Sequence, residues 1–294
     1  MKMLGKVHNG NYDIIMFDDG TKIRKTDEDC FKPLKPESLD YKITNKCDRG
    51  CAFCHEDSKP NGLHGDIMND KFIETLNPYT ELAIGGGNPL EHPDLIPFLE
   101  KCKRLNLIPN MTVNQVHFMK NQALIKELVS KKLIYGLGVS LVAINDEFLR
   151  LVSHYPNAVI HLINGVHSVD DIRKLYDKNL KILILGYKQF RRGEEYYNDD
   201  VAFEMERTYV FLPEIVEHFQ VVSFDNLSLE QLKVKDMLSK EEWHQFYMGG
   251  DGQFTMFVDS VSKTFSRSST TPIKERKKLL ANIETMFKKL QPKN

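Results

Sequence analysis

The stretch that decides the fold is LDYKITNKCDRGCAFC, residues 39–54. It opens with LDYKIT, a short β-rich run, and continues into three cysteines with the spacing C-x3-C-x2-C: Cys47, Cys51 and Cys54. Three thiolates so placed can hold three corners of a four-iron cluster and leave the fourth iron without a protein ligand, unlike a closed four-thiolate cluster. The stretch therefore predicts a strand that ends at a metal site open to a further ligand.

This β-rich run is the first of six that alternate with helix-like segments. The other five runs are 81–84, 110–113, 137–141, 158–163 and 181–185, and the helix-like segments are 66–76, 93–106, 117–132, 145–153, 169–178 and 200–217. Such alternation predicts an α/β fold, with a parallel sheet and right-handed crossovers. The rhythm alone does not separate an open doubly wound sheet from a barrel. In both, functional residues lie at the carboxyl ends of the strands, where the thiols fall.

The two ends of the chain depart from this rhythm. Residues 11–26 read as a hairpin around Asp18-Asp19-Gly20, a sequence typical of a type I′ turn. After the core we predict a strand at 221–229, helix at 230–247, a second hairpin at 253–269 and a terminal helix from 273. Three parts follow: an N-terminal hairpin and linker (1–38), a core (39–226) and a C-terminal α+β extension (227–294).

Charge, the N-terminal sequence and the cysteines limit the classes of function that the chain can have. The 294 residues carry a formal net charge of −1, which predicts no overall attraction to membranes or nucleic acid, although a local basic patch would suffice for the latter. The first residues, MKMLGKVHNGNYD, lack the apolar core of a signal peptide, so we expect a cytoplasmic protein. Clustered thiols then indicate a metal site rather than a disulfide framework. Cys30 and Cys102 lie apart from the cluster, and the sequence assigns them no role.

A second motif follows the second predicted strand: Gly85-Gly86-Gly87-Asn88-Pro89. Consecutive glycines let a backbone approach a ligand closely and turn its N–H groups toward it. The motif is neither G-x-G-x-x-G nor a Walker loop, so it does not predict a phosphate site. Its position matters more, because it falls one strand from the thiols on the same edge of the sheet.

Together these features resemble the radical S-adenosylmethionine (SAM) superfamily. The resemblance rests on the three cysteines with Phe53 before the last, on Gly86-Gly87-Asn88-Pro89, and on the β/α rhythm over residues 39–226. It implies a partial (β/α)6 TIM-like barrel with one [4Fe-4S] cluster on Cys47, Cys51 and Cys54. SAM would chelate the open iron and be cleaved reductively to a 5′-deoxyadenosyl radical, which abstracts hydrogen from a substrate. An electron donor such as flavodoxin or ferredoxin would supply the electron.

The resemblance also implies contacts to SAM. The glycine motif, Gly85 to Pro89, would bind the methionine amino group, although the family usually has Glu where this chain has Asn88. An amide there brings no charge, and charge-assisted hydrogen bonds are roughly twice as strong. Polar residues at later strand ends would reach the ribose or carboxylate, and the sixth strand end would lie against adenine beside Phe53: Asn114, Ser140 and Asn164, then Leu185 and Gly186. Substrate candidates are Lys188, Arg192 and Asp225, with Arg191 beside Arg192.

A non-catalytic zinc- or iron–sulfur-binding module is the alternative. His55, directly after Cys54, makes a three-Cys-one-His zinc site chemically reasonable. Adjacent residues rarely both bind one tetrahedral ion, however, and the sequence contains no second C-x2-C or H-x3-H. The substrate stays open among a peptide, which the N-terminal hairpin would bind by strand addition, a nucleotide and a small metabolite.

Overall fold

A computed structural model of the chain describes residues 1–292. Its N-terminal part is an antiparallel sheet of β1 (Met3–Asn9), β2 (Tyr12–Phe17) and β3 (Lys22–Lys25). The hairpin expected at 11–26 is confirmed as β2 and β3, and β1 is an additional strand. The type I′ turn is wrong: of Asp18, Asp19 and Gly20, Gly20 alone has a positive φ, and Phe17 N–H bonds to Thr21 O. This is the three-residue loop that ends in a left-handed glycine.

The main sheet has ten strands in the order β10-β9-β8-β7-β6-β5-β4-β11-β12-β13. Strands β4 to β10 run parallel, β11 is parallel to β4, and β12 and β13 are antiparallel. Their bounds are β4 (Ser38–Thr44), β5 (Glu81–Gly86), β6 (Ile108–Asn114), β7 (Gly136–Ser140), β8 (Ala158–Ile163), β9 (Lys181–Leu185), β10 (Val221–Phe224), β11 (Thr255–Asp259), β12 (Thr264–Ser266) and β13 (Lys277–Lys278). Within residues 1–292 the edge strands β10 and β13 do not pair with each other, so the barrel is not closed. The predicted fold class, a partial barrel, is confirmed.

Helices connect the strands of the sheet and follow them in the C-terminal part. They are α1 (Leu95–Arg104), α2 (Gln115–Lys120), α3 (Gln122–Ser130), α4 (Asp146–Val152), α5 (Val169–Arg173), α6 (Arg192–Tyr196), α7 (Asp199–Glu217), α8 (Asn226–Gln231), α9 (Lys240–Phe246) and α10 (Ile283–Lys288). Short 3-10 turns lie at Lys71–Thr75, Pro89–Glu91, Val234–Met237 and Ile273–Glu275. Within residues 1–292, no helix combines the length and the apolar character that a membrane crossing requires.

Several element predictions in the core are wrong, each for a local reason. The helix expected at 66–76 is a 3-10 turn, because the preceding segment is tied by Asp70, which accepts hydrogen bonds from Tyr41 and Ser260. The helix at 117–132 divides at Asn121, whose side chain donates to His117 O. The strand at 221–229 stops at Phe224, because Asp225 caps α8.

The C-terminal helix predictions also need correction. The expected helix at 230–247 is broken into the end of α8, a 3-10 turn and α9, which begins with a capping box on Ser239. The terminal helix from 273 begins only at Ile283, after Asn282 as cap. The hairpin at 253–269 is confirmed as β11 and β12. Because β11 lies beside β4 in the main sheet, the boundary at 226 stays a prediction.

Side chains of each strand alternate between the helices and the lumen of the barrel. Leu39, Tyr41 and Ile43 of β4 are fully buried against the helices, whereas Asp40 is exposed although β4 is a central strand. The space in front of Asp40 is therefore open. A cavity of about 520 Å³ at the lower end is capped by the β2–β3 turn, and Thr112 and His161 line both this cavity and the pocket at the carboxyl ends.

Candidate functional site

The three thiols lie in the loop that follows β4, at the carboxyl edge of the sheet. Cys47 N–H donates to Lys59 O, and Cys54 N–H donates to Cys51 O, so the loop folds on itself. All three cysteines are partly exposed and unbridged, and burial raises the pKa of the Cys47 and Cys51 thiols. They line one pocket. A metal that replaces their protons would offset that burial cost, because thiolates are the ligands that iron–sulfur clusters require.

The glycine motif after β5 forms the neighbouring wall. Gly86 has φ +113°, and a Cβ there would lie 2.3 Å from Thr44 O; a Cβ at Gly87 would lie 2.2 Å from Lys46 O. Gly87 N–H donates to Thr44 O and Asn88 N–H to Lys46 O, which joins this strand end to the start of the cysteine loop. A Cβ at Gly85, in contrast, would meet nothing within 4 Å. Gly85 therefore gives the pocket a wall of bare backbone.

Only some of the residues predicted to contact SAM line the pocket that contains the thiols. The pocket brings together one set: Cys47, Cys51, Phe53, Cys54, Gly85, Gly86, Gly87, Asn114 and Ser140. Asn88 and Pro89 begin the adjacent 3-10 turn, where the Asn88 amide is used: its oxygen accepts from Leu90 N–H and its nitrogen donates to Glu91. Asn164, Leu185 and Gly186 lie outside this lining; Gly186 is covered by Leu227 of α8.

One pair of residues beside the thiols is not indicated by the sequence. His117 of α2 is 4% exposed, and its Nε2 lies 2.6 Å from a carboxylate oxygen of Asp48, which follows Cys47. The hydrogen bond lowers the pKa of Asp48. Its partners are 69 positions apart, so no local spacing signals the contact. Ligand atoms of Cys47, Asp48 and His117 all lie within 4.8 Å of one another, a grouping that would also suit a single metal ion.

The predicted substrate residues after β9 instead hold the cysteine loop. Arg191 donates to the carbonyl oxygens of His55 (3.2 Å) and Glu56 (2.7 Å). Arg192 donates to Ser58 O at 2.8 Å, and its Nε lies 3.1 Å from the Asp57 carboxylate. The α6 loop thus clamps the far side of the thiol loop. Asp225 is likewise engaged, since its carboxylate accepts from Gly186 and Ser228 N–H groups, whereas Lys188 bonds to the Ser269 hydroxyl.

We expect Arg191→Ala to loosen this clamp. Hydrogen bonds from a charged donor contribute about 1.5–3 kcal/mol, so two lost bonds should speed release of iron from reconstituted protein by about tenfold or more. Release to a chelator under anaerobic conditions, followed by absorbance, measures the effect. The control is Arg150→Ala on α4, whose guanidinium has no hydrogen bond or ion pair within residues 1–292. Equal release rates in the two variants would contradict the clamp.

Beneath the thiol loop lies a buried ionic network. Lys42 of β4 contacts the Glu56 carboxylate closely and lies 3.6 Å from Asp259 of β11, which also faces Arg276. Burial opposes the ionisation of Glu56, but Lys42, His55 and Arg191 together more than offset it, so the pKa of Glu56 is lowered. Burial and Lys188 lower the pKa of His55 to about 3, so this imidazole is neutral at pH 7. The network joins the loop to two strands of the sheet.

Comparisons with known proteins agree with this architecture. No protein-family model matches the chain. It is 26% identical over 149 residues to a probable GTP 3′,8-cyclase of Methanocaldococcus jannaschii, covering 46% of each chain. It is 26% identical over 89 residues to the PqqA peptide cyclase of Gluconobacter oxydans, covering 29% of this chain and 25% of that protein. The chain therefore spans less than half the length of these curated relatives.

Solved structures show the same fold at low sequence identity. Streptococcus suis SuiB bound to the precursor peptide SuiA matches with a TM-score of 0.63 and 13% identity, over 87% of this chain and 65% of that one. SuiB bound to S-adenosylmethionine matches with a TM-score of 0.60 and 12% identity, over 84% and 64%. These matches show that the chain shares the partial-barrel fold, and the curated relatives, with the thiol triad and the glycine wall in one pocket at the barrel edge, support its resemblance to the radical SAM superfamily.

Proposed function

We propose that the protein is a radical SAM enzyme that abstracts hydrogen from an organic substrate. The observation that carries the proposal is that Cys47, Cys51 and Cys54 share one pocket with the bare backbone of Gly85. Three thiolates fit a [4Fe-4S] cluster with one open iron, and a glycine wall leaves room for a second ligand of that iron. When bound, cluster and SAM together supply a 5′-deoxyadenosyl radical by one-electron reduction of the sulfonium.

The chain's own residues bind, orient and shield in this proposal. Cys47, Cys51 and Cys54 hold the cluster, while Arg191 and Arg192 fix the loop that carries them. Phe53, Leu141 and Ile163 give the pocket apolar walls, which exclude water from a reactive radical. Ser140 and the backbone of Gly85 to Gly87 offer polar contacts to the methionine end of SAM. Asn114 and Asn88 already cap helical turns, so their contribution would be made through remaining donors and acceptors.

The names of the relatives do not indicate a single class of substrate. One is a probable GTP cyclase, another a peptide cyclase, and SuiB has been solved with a precursor peptide. An electron donor of the flavodoxin or ferredoxin kind and a cytoplasmic location complete the proposal.

The test is anaerobic reconstitution of the full chain, followed by incubation with SAM and dithionite. We expect about four irons and four sulfides per chain, and release of 5′-deoxyadenosine. One zinc per chain and no bound SAM would favour the non-catalytic module, which the grouping of Cys47, Asp48 and His117 also suits. A fully formed cluster that yields no 5′-deoxyadenosine, even with added cell extract as a source of substrate, would refute the enzymatic proposal.

A further inference from the structure

A groove of about 880 Å³ lies on the open side of the barrel, beside the carboxyl ends of β9 and β10. We call it the seam groove and define it by five aromatic residues and the residues beside them: Tyr187, Lys188, Phe190, Tyr197, Asn226, Leu227, Glu230, Gln231, Lys235, Trp243, Tyr247 and Asp251. Its volume is near the upper end of the roughly 300–1,000 Å³ of small-molecule sites. It is large enough for several residues of a peptide.

The seam groove adjoins the thiol loop. A Cβ at Gly193 would lie 2.3 Å from Lys188 O, in the groove wall, and 3.4 Å from Phe53 O, in the cysteine loop. A single glycine thus separates the two. Because a radical formed at the cluster must react with a bound neighbour, a ligand in this groove is placed to present an atom to it.

The aromatic walls are built to contact a side chain. The ring centroids of Tyr187 and Tyr197 are 5.6 Å apart, those of Trp243 and Tyr247 stack at 4.4 Å, and all four rings line the groove. None of the residues of α9, which carries Trp243, is buried. The rings of Trp243 and Tyr247 are partly exposed and yet line a concave surface, which is typical of ligand contacts.

The charges around the groove disfavour a phosphate-bearing ligand. The nearby guanidinium groups already donate to backbone carbonyls: Arg191 and Arg192 to the thiol loop, and Arg276 to Ser269 and Thr271. Lys188 and Lys235 remain, but Glu230 and Asp251 line the same groove. Asp225 and Asp40 add two carboxylates on the lumen side. Phosphate recognition relies on unopposed cations or converging N–H groups, which this mixed surface does not offer.

The edge of the sheet leads into the same groove. Within residues 1–292, β10 pairs with β9 alone, so its outer backbone groups have no strand partner. Val221 of β10 is 43% exposed. Asn226 and Leu227, which line the groove, follow the strand after one residue, Asp225. An unpaired edge that runs into a pocket is the arrangement by which proteins bind extended peptides, with main-chain bonds for affinity and the pocket for specificity.

We propose that β10 and the seam groove together bind an extended peptide segment of the substrate, which pairs with β10 and places a large apolar side chain against the aromatic rings of the groove. The inference rests on the proposed function for its reaction, but the binding itself does not require the radical. Groove and edge point to the same occupant, since a peptide alone satisfies both an unpaired strand and a neutral, aromatic cleft.

The experiment uses the one tryptophan of the chain, Trp243, as the reporter. An mRNA-displayed library of random tryptophan-free decapeptides is selected against the anaerobically reconstituted protein with SAM present. Enriched peptides are then titrated while Trp243 emission is followed. We expect saturable emission changes, with affinity reduced about tenfold or more in Phe190→Ala and Tyr247→Ala, and unchanged in Ile96→Ala on α1. Both groove positions are partly exposed, and melting curves establish that the variants fold.

Hydrogen exchange of residues 221–224 with and without the enriched peptides tests the strand pairing, and should slow on binding. The inference is overturned by a library without enrichment, by peptides that bind Phe190→Ala as tightly as the parent, or by unchanged exchange in β10. It is also overturned if GTP or pyrophosphate, rather than peptides, saturably shifts Trp243 emission. Formation of 5′-deoxyadenosine is measured separately, so failure of binding and failure of the radical chemistry give different results.

Discussion

The variant Cys51→Ala is expected to lose both the cluster and any 5′-deoxyadenosine formation. Cys51 is one of three thiols in the pocket, and two thiolates do not hold a four-iron cluster against chelators. Iron should fall from about four per chain to below about one, and 5′-deoxyadenosine formation by at least about 100-fold, because a step that depends on the cluster has no alternative route. Iron analysis and chromatography of the reaction mixture measure the two quantities.

The matched control is Cys30→Ser, which removes an exposed thiol outside the pocket. It should retain full iron and full 5′-deoxyadenosine formation. A buried comparison is Cys102→Ala, whose thiol has its pKa raised to about 12 by burial and so behaves as a small apolar group. Wild-type iron content in Cys51→Ala, or iron loss in Cys30→Ser, would show that the thiol triad is not the metal site.

The strands of the core were predictable because their signals are local. The runs of β8 and β9 are largely apolar, and the predicted bounds 158–163 and 181–185 coincide with those in the structure. The thiol triad and the glycine motif could be assigned to neighbouring strand ends because they, too, are local sequence signals. The order of parallel strands then places them on one edge without any knowledge of distant contacts.

What could not be predicted depends on contacts between distant residues. Nothing near Arg191 indicates that its guanidinium reaches the His55 carbonyl, 136 positions away. The helix expected at 66–76 had a suitable pattern, but Asp70 is drawn into contacts with Tyr41 and Ser260 that outweigh helix propensity. The place of β11 beside β4 likewise depends on Lys42 and Asp259, which meet only in the folded sheet.

The ion pair of Lys42 and Asp259 gives the largest expected effect on stability. In Lys42→Met the carboxylates of Glu56 and Asp259, both less than 10% exposed, lose the cation between them. Breaking a buried ion pair by removing one partner costs about 3–5 kcal/mol, which is a large part of the roughly 5–15 kcal/mol that stabilises a domain. Denaturant unfolding followed by circular dichroism should therefore show a much lower midpoint, or a protein that does not fold.

The size of the effect separates a buried network from a surface contact. Lys131→Met, at the C-cap of α3, removes an exposed lysine that pairs with Glu127 four positions earlier, and should leave the midpoint unchanged within error. The double variant Lys42→Met with Glu56→Gln should recover part of the loss, because one of the two carboxylates that faced Lys42 is then neutral. If Lys42→Met matched the surface control, or the second substitution gave no recovery, the thiol loop would not be held to the sheet by this charge network.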